Sequence, residues 1–318
     1  MDIFLKPTIF VSKCLGFDNC RYNGQSLKQD FIEKLENHVK IITYCPETGI
    51  GLETPRDALR CVDLEGNIKI IQPKTDIDYT EDIKNYSLKI IEDTGEDIDG
   101  FILKSRSPTC GIKDVKIYSS KEKGACFKKG SGIFTNQLIE HYKYYPMEDE
   151  GRLSNFTIRE KYLKSIFTLA SFRSIKNKGM EELIRFHNIN KMLLMSFSSS
   201  GYNRLEKTLK EELDFEEKIK KYEIILKITL LTNAKYTSNL KTIRYALSYF
   251  YEMLNEEEKK YIEELLEEYP KNQITLDSIL CLIKSYGLRF NIEEITNQTY
   301  FQPYPEDLKE LRDSGKGL

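Results

Sequence analysis

Histidine is scarce in this chain of 318 residues: His38, His141 and His187 each stand alone in their segments. That excludes the H-E-x-x-H zinc hydrolases and the H-x-E signature of base deaminases. No two cysteines have C-x-x-C spacing, which counts against a zinc ribbon, a rubredoxin-like site, a thioredoxin-like motif and the cysteine run of bacterial ferredoxins. There is no G-x-x-x-x-G-K-S/T loop, and G-S-G at 130 to 132 has no strand before it, so it is a weak phosphate cradle. No stretch approaches the ~18 apolar residues of a membrane span, and residues 1 to 12, interrupted by Asp2 and Lys6, do not read as a signal peptide. The expected location is the cytosol. Repeats and low-complexity tracts are missing, and 48 basic against 50 acidic residues leave a net charge of -2, which argues neither for nor against nucleic acid.

Cysteine, in contrast, is present seven times. An odd number in a cytosolic chain points to metal or thiol chemistry instead of a disulfide framework. Three of the seven share one context. The apolar run at 8 to 12 leads into Lys13 and Cys14; the run at 39 to 44 leads into Cys45 and a loop kinked by Pro46, Gly49, Gly51 and Pro55; and residues 98 to 103 lead into K-S-R-S-P-T-C-G with Cys110. Open α/β sheets place their sites at the carboxyl ends of strands. If the three strands are parallel neighbours, just under ~5 Å apart, their thiolates converge. Such a set suits an iron-sulfur cluster or a zinc ion with an open position, and spacing does not separate the two. The competing reading is three small buried residues, set against the Gly, Pro and Ser around each. Cys20, Cys61, Cys126 and Cys281 read as structural, with Cys281 in I-L-C-L-I as a core filler. Cys20, six residues after Cys14, is also a candidate to close a fourth metal position.

Length predicts two domains. Helices are expected at 26 to 38, with Ser26 as N-cap, at 79 to 94 and at 131 to 144, and a hairpin turning at Glu65-Gly66-Asn67. The order β-α-β-α-β predicts an α/β domain over residues 1 to 147, a mostly parallel sheet with flanking helices. Y-P-M-E-D-E-G-R, 145 to 152, reads as an acidic linker. An all-α domain of roughly six to eight helices is expected over 148 to 318, opened by a capping box at Thr157 and Glu160. A similar start is read at Asn255 and Glu258, with Gly179, Gly201, Asn272 and Gly287 punctuating the helices and S-G-K-G-L as a frayed end. Charge is uneven: seven basic residues, including Arg173, Arg185 and Lys191, face two acidic ones between Lys161 and Lys191. Residues 252 to 268 form an acidic run, and a second basic run, Lys104 to Lys129, surrounds Cys110.

V-S-K-C-L-G and R-Y-N-G (Val11 to Gly16, Arg21 to Gly24), C-P-E-T-G-I-G-L with P-R (Cys45 to Leu52, Pro55, Arg56) and K-S-R-S-P-T-C-G (Lys104 to Gly111) resemble the thiouracil desulfidase family over residues 6 to 145. The remainder resembles the helical domain fused behind it in tRNA 4-thiouridine desulfidases, through G-R-L (Gly151 to Leu153), I-R-E (Ile158 to Glu160), Phe186-His187 with Lys191, and Q-T-Y-F-Q-P-Y-P (Gln298 to Pro305). A single Leu15, Asn23 and Tyr245 depart from the pattern. The resemblance implies a 4Fe-4S cluster held by Cys14, Cys45 and Cys110 with one iron open to the substrate sulfur, and Glu47 and Ser107 as the catalytic pair. It also puts Ser12, Asn23, Lys104 and Ser105 forward as substrate contacts. The implied activity is the conversion of 4-thiouridine, in tRNA or as nucleotide, to uridine and sulfide; the basic run, independently of the resemblance, offers Arg173, Arg185 and Lys191 as nucleic-acid contacts. The alternatives are a desulfidase of free thiouracil or thiouridine monophosphate only, and a non-catalytic iron-sulfur sensing protein. For Glu47 the bland role is a loop carboxylate capping the next helix, and for Ser107 a turn hydroxyl.

Overall fold

The structure, a computed structural model, describes residues 4–122 and 125–310. In chain order the first elements are β1 (Thr8–Ser12), α1 (Asp30–Leu35), β2 (Lys40–Tyr44), α2 (Pro46–Gly49), β3 (Arg60–Leu64), β4 (Asn67–Gln72) and β5 (Ile77–Asp78). Next come α3 (Thr80–Thr94), β6 (Gly100–Leu103), β7 (Val115–Tyr118), β8 (Cys126–Gly130), α4 (Ile133–His141) and β9 (Met147–Asp149). Nine α-helices follow among the described residues, with short 3-10 turns between some of them: α5 (Phe156–Arg173), α6 (Met180–Ile189), α7 (Lys191–Phe197), α8 (Ser199–Lys210), α9 (Phe215–Leu231), α10 (Tyr236–Leu247), α11 (Glu256–Glu268), α12 (Leu276–Arg289) and α13 (Glu293–Thr296).

The expected parallel sheet is present, in the order β2-β1-β6-β9 with every pairing parallel. Its central strands, T-I-F-V-S and G-F-I-L, are buried along their whole length, as strands covered on both faces should be. Phe10, Phe101 and Leu103 pack with Ile90 and Ile91 of α3 and Phe134 and Leu138 of α4. Each such side chain removed from water contributes about 1.5 to 3 kcal/mol. A second sheet, β5-β4-β3-β7-β8, lies beyond what the sequence pattern showed, apart from its β3-β4 hairpin. That hairpin turns at Glu65 and Gly66, both at positive φ. Ile83 of α3 and Ile133 of α4 belong to the second core, so these two helices serve both sheets.

Several expectations are corrected. The segment 145 to 152 is no linker, because Met147 to Asp149 pair with Phe101 to Leu103 as the fourth parallel strand. The first helix begins at Asp30, and Ser26 does not cap it, because the Leu27 amide is drawn to the Cys14 carbonyl at 2.8 Å. α5 starts at Phe156, ahead of Thr157, and Asn155 Oδ1 accepts from the Ile158 amide at 3.1 Å. The box at Asn255 and Glu258 is present as expected. Gly201 and Gly287 lie inside α8 and α12, where a Cβ would meet Thr229 and Ile295 at 2.4 and 2.5 Å. They are points of close packing, not breaks. The breaks that raise the helix number above eight fall at Asn190 and Ser198. The S-G-K-G-L end lies outside the described residues.

By packing, the chain divides into one compact unit of residues 1–170 with 305–318 and another of residues 171–304. The sequence-based boundary at 147 falls within β9. No helix among the described residues is long and apolar enough to cross a membrane. Within the helical unit, His187 is 3% exposed, its Nδ1 lies 2.9 Å from Tyr222 Oη and its Nε2 has no partner. Burial lowers its pKa from 6.5 to about 4. The folded state therefore binds fewer protons than the unfolded one, and stability present above pH 6.5 is lost as pH falls towards 4. Between pH 7 and pH 5, urea unfolding should show wild type losing about 2 kcal/mol more than His187→Leu. Equal losses would contradict this assignment.

Candidate active site

The register of the parallel sheet sets Ser12 beside Tyr44, and Leu103 beside Asp149. All four strands thus end at one edge, and each delivers a residue to it. Cys45 comes directly after Tyr44, Cys14 two residues after Ser12, the loop from Lys104 to Cys110 after Leu103, and Glu150 after Asp149. The loops are tied to each other by the Lys13 amide on the Tyr44 carbonyl (3.1 Å) and the Lys104 amide on Ser12 Oγ (3.0 Å).

The loop bearing Cys110 is held from several sides. Ser107 Oγ accepts from the amides of Thr109 (3.2 Å) and Cys110 (3.1 Å). Both its lone pairs are then used, and its hydroxyl proton is free to donate. With Ser12 it favours the thiolate of Cys110, against burial of that thiol. Beneath the loop, Thr135 Oγ1 donates to the Cys110 carbonyl (2.8 Å), and Gly132 lies so close that a Cβ there would stand 2.2 Å from the Thr109 carbonyl oxygen. The G-S-G run, which begins at the end of strand β8 although the sequence showed no strand there, is thus the floor of this loop. Lys104 Nζ and the backbone and hydroxyl of Ser105 all engage Glu150. Only 16% of the lysine side chain and 8% of the glutamate side chain are exposed. Asn23 is exposed and bonds to Gln25 within its own turn.

Glu47 does not cap a helix. Its Oε2 accepts from Arg56 Nε (3.2 Å) and Nη2 (2.5 Å), and its Oε1 accepts from Thr109 Oγ1 (2.9 Å). The arginine also donates from Nη1 to the Cys20 carbonyl at 3.1 Å. Arg56, Thr109 and Glu150 do not stand out as site residues in the sequence. Their only signals are Pro-Arg closing the Cys45 loop, Thr109 beside Cys110, and a carboxylate in a stretch that reads as linker.

The thiols crowd together. Cys45 is pushed well above the ordinary thiol range by Cys20, by burial and by Glu47. Cys110 is pushed up by burial, Cys45 and Glu47, against the two serine hydroxyls. The thiol of Cys20 is raised to about 11, chiefly by Cys14. Cys61 is fully buried, donates to the Pro108 carbonyl at 3.2 Å and is raised to about 12 by burial. Cys281 is exposed, contrary to its expected core role, because the buried face of α12 runs through Ile279, Leu280 and Ile283; Cys126 is exposed as well. Among the described residues no three His, Cys, Asp or Glu side chains are arranged to hold one metal ion. The donor set at the sheet edge is nonetheless soft, with the nearby carboxylate committed to Arg56. It fits an iron-sulfur centre better than a hard cation.

The other expected residues lie elsewhere. Arg185 pairs with Glu182 at 3.7 Å, Lys191 Nζ donates to Tyr245 Oη at 2.6 Å, and Arg173 ends α5. Two further lysines of the basic run, Lys164 and Lys176, are paired with Glu160 and Glu223. A cavity of about 280 Å³ lined by Phe4, Lys6, His38, Phe167, Pro305 and Asp307 contains none of the expected site residues.

Raised thiols predict slow alkylation. In metal-free protein at pH 8, timed iodoacetamide labelling read by peptide mass mapping should modify Cys126 and Cys281 first. Cys20, raised to about 11, should react roughly a hundredfold more slowly. Equal labelling of all seven cysteines would contradict the geometry.

Comparison with known proteins bears on this edge. The model of a family described as 2-thiouracil desulfurase matches residues 9–150, and one described as a protein of unknown function (DUF1722) matches residues 191–305. A Bacillus subtilis (strain 168) protein, described as uncharacterized protein YbbK, is 31% identical, the match covering 32% of this chain and 72% of that protein. The solved structure of the 4Fe-4S-dependent thiouracil desulfidase TudS is 27% identical over 46% of this chain and 93% of its own, with a TM-score of 0.37. Through the segment that carries all four sheet-edge loops, the chain belongs to the 2-thiouracil desulfurase family.

Proposed function

We propose that the protein removes sulfur from the 4-thiouracil base of 4-thiouridine, as nucleotide or within tRNA, releasing uridine and sulfide. What supports this reading is that the loops bearing Cys14, Cys45 with Glu47, and Ser107 with Cys110 all leave one edge of the parallel sheet. Cys14, Cys45 and Cys110 would hold a 4Fe-4S cluster. When bound, it supplies a soft Lewis acid suited to a thiocarbonyl sulfur.

The work of the chain is positional and protonic. Arg56 holds one oxygen of Glu47 and Thr109 orients the other, Oε1, which is the oxygen placed to take a proton from water. Water adds at C4, its oxygen stays on the base, and its two protons leave with sulfur as hydrogen sulfide, so no electron is transferred. Ser107, its acceptor capacity filled by the loop amides, offers only its O–H and so holds the base in register. Ser12, Lys104 and Ser105 act one step back, by fixing the loop that carries Ser107 and Cys110. In the helical unit Arg173, Arg185 and Lys191 are the proposed contacts to tRNA phosphates.

Anaerobic incubation with 4-thiouridine monophosphate and with thiolated tRNA, read by mass spectrometry of the nucleosides and by sulfide assay, tests the reading. Wild type should form uridine and sulfide in equal amounts. Glu47→Gln should be slower by roughly 10² to 10⁴-fold with its iron retained. Turnover within about threefold of wild type would remove Glu47 from the mechanism. Absence of uridine from both substrates would overturn the reading.

A further inference from the structure

Thr109 stands between Glu47 and Ser107, the two residues to which the reaction is assigned. Its amide donates to Ser107 Oγ at 3.2 Å and its hydroxyl donates to Glu47 Oε1 at 2.9 Å. One residue is thus bonded to both, although Glu47 lies 62 positions away in sequence. Thr109 is fully buried, so its hydroxyl cannot turn to bulk water, and the bond to Glu47 is what satisfies it. Its backbone is held from below, where the Thr135 amide reaches the Thr109 carbonyl at 3.5 Å and Gly132 packs against the same carbonyl. The two oxygens of Glu47 are held unequally. Oε2 accepts two N–H groups of Arg56, which fills its lone pairs, whereas Oε1 accepts one O–H and keeps a lone pair for a proton from water.

We propose that Thr109 is a positioning residue: its hydroxyl holds the proton-accepting oxygen of Glu47 in register with Ser107, so that the base and the group that holds the substrate act as one unit. This rests on the desulfidase reading above and adds to it a dependence of Glu47 on the loop of Ser107. A hydroxyl suits both states of the carboxyl, because it donates to the carboxylate and, turned about its C–O bond, accepts from the acid. Valine, close to it in shape, does neither. The competing role is a buried hydroxyl that only supports the loop, and a double-mutant cycle separates the two.

The test uses the full chain, reconstituted anaerobically with iron and sulfide, and 4-thiouridine monophosphate as substrate. Thr109→Val should lower kcat roughly 10- to 100-fold, with iron retained and KM within about threefold of wild type, and Thr109→Ser should return kcat to within about threefold. In a Glu47→Gln background, Thr109→Val should cost nothing further. Turnover of Thr109→Val within about threefold of wild type, or an equal fold loss in both backgrounds, would overturn the proposal and leave the desulfidase reading intact. A readout apart from turnover is the infrared carboxylate band of Glu47 in metal-free protein, identified by its loss in Glu47→Gln. It should shift in Thr109→Val and stay in place in Thr109→Ser, and an unmoved band in the valine protein would contradict the proposal. Should valine and alanine at position 109 both cost the protein its iron while serine keeps it, the hydroxyl serves the loop and the proposal falls. Absence of sulfide release by wild type would overturn the reading beneath it as well.

Discussion

Parallel pairing is the constraint on which the rest of the site depends. In a parallel ladder the backbone hydrogen bonds set all strands running the same way and just under ~5 Å apart, so the residues beyond each carboxyl end are brought to their neighbours without further design. Here β2, β1, β6 and β9 lie in that order, and beyond their carboxyl ends stand Cys45, Cys14, the Ser107 to Cys110 loop and Glu150. Ser12 and Lys104, distant in sequence, meet because of sheet register, as the amide of the second on the Oγ of the first illustrates. The burial of T-I-F-V-S and G-F-I-L against α3 and α4 keeps that register from slipping, since a shift of one residue would turn Phe10 and Phe101 out of their core.

Two largely buried ion pairs complete the edge, and their chemistry differs from that of the surface pairs. Taking Arg56 and Glu47, or Lys104 and Glu150, out of water carries a desolvation cost that their attraction offsets only when the geometry is good and the remaining polar atoms are bonded. Both pairs meet that condition: Arg56 reaches Glu47, the Cys20 carbonyl and the Glu53 carbonyl, while Glu150 is bonded through both oxygens. Removing one partner from such a pair typically costs about 3 to 5 kcal/mol. Their role is orientation. The first pair aims a carboxylate across the cysteines, and the second holds the loop that presents Ser107.

The parallel sheet and the three loop cysteines are legible in the sequence because continuous apolar runs leading into Gly, Pro and Cys are short-range signals. The same is true of the Asn255 to Glu258 box, whose donors and acceptors lie within one helical turn. The features that escape a sequence reading are long-range. β9 is three residues long and carries two carboxylates, so nothing but its pairing with β6 marks it as a strand. Cys20 reads as a loop cysteine, yet it is buried, and the Arg56 that bonds to its carbonyl is distant in sequence. Gly201 reads as a break because a glycine required for contact with Thr229 on another helix looks, in sequence, like one required for a turn. The partners of Lys176 and Lys191 in the basic run, Glu223 and Tyr245, lie far along the chain and carry no signal within it.

The proposed iron binding gives the buried thiols at the sheet edge a role. Left as free thiols, Cys45 and Cys110 are buried beside each other and beside a carboxylate, an arrangement that disfavours their reactive form. In the proposed role as ligands they would be deprotonated and bound, a state that Ser12 and Ser107 favour at Cys110. The most direct measurement is the iron and acid-labile sulfide content of the wild-type protein purified without oxygen, with its visible absorption spectrum. A 4Fe-4S centre predicts iron and sulfide in equal amounts, about four of each per chain, and a broad brown absorbance that bleaches on reduction. A colourless protein without iron, or one holding a single zinc ion with no labile sulfide, would contradict it.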